Sequence, residues 1–191
     1  MHVSLQGKLL IAMPGLVEST FASSVIFLCA HSPEGAMGLI INKPMADMSF
    51  MDMAGRINLA KTPNHVAERL MQMPVFMGGP VEQQRGFVLH GRDYDKGEGL
   101  LTINEQFAMS ATIDILQDMA LGQGPANALL ALGYAGWSPG QLENELLHNG
   151  WLHCDAENAL VFESDPTSIH RLAMAQLGVD LAQLSSSAGH A

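Results

Sequence analysis

Glycine set against apolar, strand-forming residues constrains this chain more than any other feature. It recurs in Gly35-Ala36-Met37-Gly38-Leu39-Ile40-Ile41-Asn42-Lys43-Pro44, Met77-Gly78-Gly79-Pro80, Arg85-Gly86-Phe87-Val88-Leu89-His90 and Leu132-Gly133-Tyr134-Ala135-Gly136-Trp137. A glycine beside a buried strand marks a sharp turn, a bulge, or a place where a second backbone or a ligand comes close. Backbone shape is being specified at these points, and packing and turns explain it before any ligand is invoked.

With 191 residues, 48% of them hydrophobic and 15% charged, the chain can bury a substantial core. One domain is expected over residues 1–184, with a flexible tail at 185–191 around Ser185-Ser186-Ser187. No apolar run approaches the roughly 18 residues of a membrane helix. The run Leu9 to Met13 is stopped by Pro14-Gly15, too short for the core of a signal peptide. The two cysteines, Cys29 and Cys154, lie far apart and fit no CxxC pattern. Neither a disulfide framework nor a zinc ribbon is suggested, and a reducing cytoplasm is the expected home.

Net charge is -10, and all of the excess lies downstream: from residue 97 onward Arg171 is the single basic residue against eleven acidic ones. Nucleic-acid affinity draws on cations that displace phosphate counterions. No window here concentrates Lys or Arg among aromatics, so direct nucleic-acid binding is not expected.

Strand and helix signals alternate along the chain. Ser24–Ala30 and Met37–Ile41 read as a hairpin around His31-Ser32-Pro33-Glu34-Gly35. Ser49 with Asp52 resembles a helix start, with Phe50, Met53, Ala54 and Ile57 on one face. After a connector near Lys61–His65 come strands at Val75–Met77 and Phe87–Leu89. The latter is expected to form a hairpin with Leu100–Ile103 across the polar tip Gly91–Gly97. Ser110 reads as the cap of a helix carrying Ile113, Leu116, Gln117 and Ala120, and Leu129–Leu132 as the next strand. Ser138-Pro139 with Gln141 opens a further helix that Asn149-Gly150 closes, with Trp137 placed to staple onto Leu142. Short strands are expected at Trp151–Cys154 and Leu160–Phe162, and a last helix opens at Asp165-Pro166 with Ile169, Leu172, Ala173 and Leu177 inward.

Gly136-Trp137-Ser138-Pro139-Gly140 matches the G-x-S-x-G nucleophile elbow. The oxyanion hole of that motif uses the N–H of the residue after the serine, and Pro139 has none. Losing one such donor costs about 2.7–4 kcal/mol of transition-state stabilisation, while capping explains Ser138 fully. No GxxxxGK[ST], HExxH or complete GxGxxG is present. Cys29 and His31 are a conceivable metal or nucleophile pair, but no further ligand can be assigned, and a buried cysteine beside a turn histidine is the simpler reading. Neither a catalytic residue nor a metal or other cofactor is assigned.

The polar residues that close the glycine blocks form the candidate binding site: Asn42, Lys43, Gly78, Gly79, Arg85 and His90. Each lies where an apolar strand meets a loop, so they could gather at one sheet edge to hold a small anion or a peptide carboxylate. Strand ends meeting solvent, with Arg85 paired to Glu82, are the plain alternative.

Taken in order, these blocks resemble the AlgH/YqgE family of bacterial proteins. The resemblance begins at Gly7-Lys8-Leu9-Leu10-Ile11-Ala12-Met13-Pro14 and ends at Ala188-Gly189-His190-Ala191, nearly the whole chain. His170 departs from a usual tryptophan, and Thr102–Ser110 from a typical Thr-Thr-Ser run. The resemblance implies an α+β fold: a single compact domain with a mixed, partly barrel-like β-sheet and surrounding packed helices. Some members carry the label of transcriptional regulator and are encoded near a Holliday-junction resolvase, but no catalytic residues transfer from the family. The preferred expectation is a noncatalytic regulatory or binding module for a protein partner or a small anionic ligand. The alternatives are an enzyme using His31 or His90 as acid/base, with Lys43 or Arg85 holding an anionic substrate, and indirect transcriptional regulation.

Overall fold

Along the apolar strands, neighbouring residues part into different cores. Leu9, Ile11, Val25, Phe27, Leu39 and Ile41 pack in one cluster, whereas Leu10, Ala12, Ile26, Leu28 and Ile40 pack in another. This is the alternation of a strand buried on both faces, and it explains why these segments read as unbroken apolar runs. The computed structural model describes residues 3–16, 20–54 and 62–179. The expected flexible tail and the face position assigned to Ile57 lie outside the described residues.

Among the described residues ten strands form the sheet. They are β1 (Lys8–Ala12), β2 (Val25–Ser32), β3 (Gly35–Ile40), β4 (Pro44–Ser49), β5 (Pro74–Met77), β6 (Val81–Gly91), β7 (Leu100–Thr102), β8 (Phe107–Ser110), β9 (Ala128–Trp137) and β10 (Trp151–Asp155). The main path runs β10-β1-β2-β3-β9-β6-β8-β7, with β5 joining β4 to β9. All pairs are antiparallel except β5–β9, so the sheet is mixed. It curls until Gln6, just before β1, donates from Nε2 to the Ile103 carbonyl at 2.8 Å beside the β7–β8 turn. The result is a half-barrel within a single compact α+β domain.

Its concave side is filled by Phe27, Phe107, Leu9, Ile11 and Leu39 from the strands and by Leu160, Ile169 and Ala173 from the last third of the chain. Two further cores lie on the convex side. One, around Phe50, Val88, Leu130 and Ile115, is covered by α1 (Phe50–Ala54), α2 (Asn64–Met71) and α3 (Ile113–Ala120). The other, around Ile26, Ile40, Trp137 and Trp151, is covered by α4 (Gln141–Leu147). Burying one such side chain contributes about 1.5–3 kcal/mol. Among the described residues no helix is long and apolar enough to cross a membrane.

Local signals hold at several helix starts. Ser49 and Asp52 bond reciprocally: the Ser49 N–H and hydroxyl donate to Asp52 Oδ2 at 2.8 and 2.7 Å, and the Asp52 N–H donates back to Ser49 Oγ at 3.4 Å. Asp165 caps α5 (Pro166–Gln176), accepting from the Thr167 N–H at 2.8 Å. At α4 the Ser138 N–H donates to Gln141 Oε1 at 3.0 Å, but the expected cap is corrected: the helix starts at Gln141 behind Gly140 with no side-chain capping bond, so Ser138 is not its cap and Pro139 is not its first residue.

Other expectations are corrected. Phe87–Leu89 lies in β6 and pairs with β8, not with Leu100–Ile103; β7 makes its hairpin with β8. Ser110 ends β8, and the residue before α3 is Thr112. Inward positions on α3 are Ile115, Met119 and Ala120, while Ile113 is exposed. Asn64 and His65, expected in a connector, open α2, and Leu160–Phe162 lies in a π-helical turn, Ala159–Glu163.

Candidate functional site

At Gly133 the alternation of β9 changes phase. Leu129 and Ala131 face the concave core and Leu130 and Leu132 the convex one; beyond Gly133, Tyr134 is concave and Ala135 and Trp137 are convex. One extra residue does this, because a one-residue slip exchanges the faces of a strand. Gly133 has φ +70, and a Cβ there would lie 2.5 Å from the Gly79 carbonyl oxygen and 2.8 Å from that of Val81. β6 answers with its own bulge. Val81 pairs with Tyr134 and Gly86 with Leu132, so five steps of β6 span two of β9 and Glu82–Arg85 have no register partner there.

This bulge stands between two grooves. The first, about 760 Å³, lies on the concave side between the β2–β3 turn and β6. Met37, Phe87, Met109 and Tyr134 form its apolar floor, with Glu34 and Arg85 at its rim. The Arg85 guanidinium lies 5.2 Å from the Phe87 ring centre and bonds Glu82 at 3.0 Å. The second groove, about 600 Å³, opens on the convex side under α1 and the start of α3, lined by Met48, Met53, Val88, Ser110, Leu116 and Leu130.

The six sequence-predicted residues do not share one place. Asn42, Lys43, Gly78 and Gly79 meet where β3 and β5 abut along β9: the Met77 N–H bonds the Lys43 carbonyl and the Ile40 N–H that of Gly78. Asn42 accepts from the Val25 N–H and donates to the Ser23 carbonyl, and Lys43 Nζ donates to the Thr20 carbonyl. Partial burial lowers the Lys43 pKa. The Gly78 N–H is held by the Leu132 carbonyl, and a Cβ on Gly79 would lie 2.1 Å from the Tyr134 carbonyl carbon. Backbone fills the space beside these glycines. Of the six, Arg85 lines the first groove.

His90 points to the opposite face and is buried. Its Nδ1 lies 2.8 Å from the Gly91 carbonyl, which can only accept, so Nδ1 carries the proton and Nε2 accepts from the Ser110 hydroxyl at 3.0 Å. Burial lowers the His90 pKa, outweighing the Gly91 carbonyl and Asp93, which raise it. Tyr94 stands edge-on to the ring, centroids 5.5 Å apart, and donates its hydroxyl to Asp118 at 2.9 Å. Burial and then Asp118 push the Tyr94 pKa up to about 12. Sequence reasoning missed Ser110 as the histidine's partner because only the β6–β8 register brings them together.

His31 and the two cysteines are buried and line neither groove. His31 Nδ1 accepts from the Leu5 N–H at 2.9 Å and Nε2 meets Glu143 Oε1 at 3.1 Å, tying the N-terminal segment and α4 to β2. Cys29 and Cys154 lie in the concave core, where burial raises both thiol pKa values, that of Cys154 to about 11. Among the described residues no three His, Cys, Asp or Glu side chains are placed to hold a metal.

A family model described as AlgH-like matches residues 9–182. The chain belongs to the AlgH-like family. A UPF0301 protein of Jannaschia sp. (strain CCS1) is 51% identical over 191 residues, covering 98% of this chain and 95% of the relative. A UPF0301 protein of Methylobacterium sp. (strain 4-46) is 48% identical over 189 residues, covering 98% and 90%. The solution structure of the AlgH protein from Pseudomonas aeruginosa is similar over 100% of both chains, with TM-score 0.77 and 39% identity. A crystal structure from Corynebacterium diphtheriae shares the fold at TM-score 0.72 and 20% identity, over 92% of this chain and 88% of that one. These likenesses span the half-barrel and both grooves of this AlgH-like chain.

Proposed function

We propose that this AlgH-like protein is a binding module that receives an extended segment of a protein partner in the concave groove. The observation that supports this most is the β6 bulge, where the exposed run Glu82–Arg85 stands outside the β9 register and Val81, which precedes it, and Arg85, which ends it, line the edge of the apolar floor. An open trough with a charged rim suits a peptide laid along a strand: main-chain pairing supplies affinity and side-chain contacts supply selectivity. Arg85, flattened on Phe87, offers guanidinium donors to a carboxylate on that segment. An apolar floor of Met37, Phe87, Met109 and Tyr134 between the charged rim residues Glu34 and Arg85 supports recognition as the groove's task.

Selection of a random-peptide display library on the purified protein tests this. Enriched peptides should combine apolar side chains with a carboxylate. Arg85→Met should weaken them about tenfold or more, the worth of one charge-assisted hydrogen bond, and Val81→Glu on the groove wall should do the same. No enrichment, or affinities indifferent to both substitutions, would overturn the proposal.

A further inference from the structure

We propose that Ser110, at the floor of the convex groove, and His90, buried behind it, form a nucleophile–base pair acting on carboxylic esters with an apolar acyl group. This site faces away from the peptide groove and does not rest on that reading.

The parts of such a pair are present. His90 and Val88 of β6 face α1–α3, and Ser110 is the register partner of Val88 on β8, so the serine and histidine are diagonal neighbours on one face. The hydroxyl lies 3.0 Å from Nε2, and the Gly91 carbonyl holds the proton on Nδ1. That is the order of nucleophile, base and orienting acceptor that serine activation requires. Edge-on contact with Tyr94 fixes the ring. Burial favours the neutral imidazole, the form that can take a proton.

Around the serine, Met48, Met53, Leu116 and Leu130 wall a groove suited to an acyl chain. Methionine adapts to such chains without a fixed shape. The residue after Ser110 is Ala111, which keeps the N–H that Pro139 denies to Ser138. Thr112 follows and makes no side-chain capping bond to the first turn of α3. The main chain beyond the nucleophile therefore supplies candidate donors for an oxyanion.

In the reaction, Ser110 Oγ bonds to the ester carbonyl carbon while its proton passes to His90 Nε2. Collapse of the adduct breaks the carbon–oxygen bond of the ester. The leaving alkoxide takes the proton from Nε2 and departs as the alcohol. Water then gives a proton to Nε2 and bonds to the acyl carbon. The Ser110–acyl bond breaks, the carboxylic acid leaves and the serine regains its proton.

The test is exposure of the folded wild-type protein to an alkyl fluorophosphonate, read by intact mass and peptide mapping, alongside hydrolysis of p-nitrophenyl acetate and octanoate. One phosphonyl adduct on Ser110, faster turnover of the octanoate, and loss of both in Ser110→Ala are expected. His90→Gln should slow labelling about 100-fold or more, the usual scale of general-base assistance. Labelling of the wild type needs no variant, so a misfolded His90→Gln leaves the test decisive. A folded wild type that stays unlabelled, or hydrolysis unchanged in a folded Ser110→Ala, would overturn the proposal.

Discussion

Replacing Gly133 by alanine probes the backbone crossing that shapes both grooves. Two effects add at this position. A side chain at φ +70 costs about 1–2 kcal/mol in the left-handed region. The new Cβ would also lie 2.5 Å from the Gly79 oxygen, 2.8 Å from the Val81 oxygen and 3.1 Å from Gln83 Cα, all main chain, so no flexible side chain can yield. Overpacking of this kind costs a further 1–3 kcal/mol or so. Together, Gly133→Ala should lose about 2–5 kcal/mol, a large part of the roughly 5–15 kcal/mol that holds a domain folded. Gly140→Ala is the control, since Gly140 has φ +73 with nothing within 4 Å of its Cβ position, leaving the conformational cost alone. Urea unfolding followed by Trp137 and Trp151 fluorescence, with equal m-values, measures the difference. If the two substitutions cost the same within about 0.5 kcal/mol, the crossing is not sterically closed and the reasoning fails.

Two further outcomes follow from buried polar groups. Because the native His90 pKa lies below its ordinary value, the unfolded chain takes up a proton first as pH falls. Its stabilisation is full above about pH 6.5 and declines below it towards the native pKa, by up to about 1.4 kcal/mol per pH unit. Urea melts from pH 7.5 to 5 should show this slope in wild type and a flatter one in His90→Gln; equal slopes would contradict it. Glu145 Oε2 accepts from the indole N–H of Trp137 at 2.9 Å and of Trp151 at 2.7 Å. Glu145→Leu should therefore cost about 2–5 kcal/mol by orphaning two shielded donors, and a loss under about 0.5 kcal/mol in the same melts would refute it.

The elements most legible in the sequence carry their own punctuation. The β2–β3 hairpin has Pro33 and Gly35 at its turn, α1 has its Ser49–Asp52 pair, and α5 has Asp165-Pro166. The elements missed lack it. Helix α2 has only Val66 and Leu70 buried, four residues apart, and Pro63 at its start offers no side-chain cap. Strand β8 is four residues long and buried on both faces, so nothing in Phe107-Ala108-Met109-Ser110 alternates. Without a signal for β8, the next apolar run in sequence, Leu100–Ile103, reads as the hairpin partner of β6. Leu160–Phe162 fails for the same reason, because a short apolar run does not declare its period.

The candidate site was legible as residue types but not as faces. Glycine blocks pointed to close backbone approach, which Gly78, Gly79 and Gly133 make against one another. Arg85 and His90 stood at the two ends of one apolar run and were expected on a shared edge. Five residues of strand separate them, about 16 Å along the strand. That odd spacing puts them on opposite faces, Arg85 over Phe87 and His90 against Tyr94 and Ser110. Tyr134 shows the same limit from the other strand: counted from Leu132 without a bulge it belongs with Gly136 on the face opposite Ala131. Gly133 brings it back to the face of Phe87, with ring centroids 5.8 Å apart. A bulge in a strand buried on both sides leaves no polar residue to record the change of phase, so only the pairing of β9 with β6 discloses which side chains share a groove.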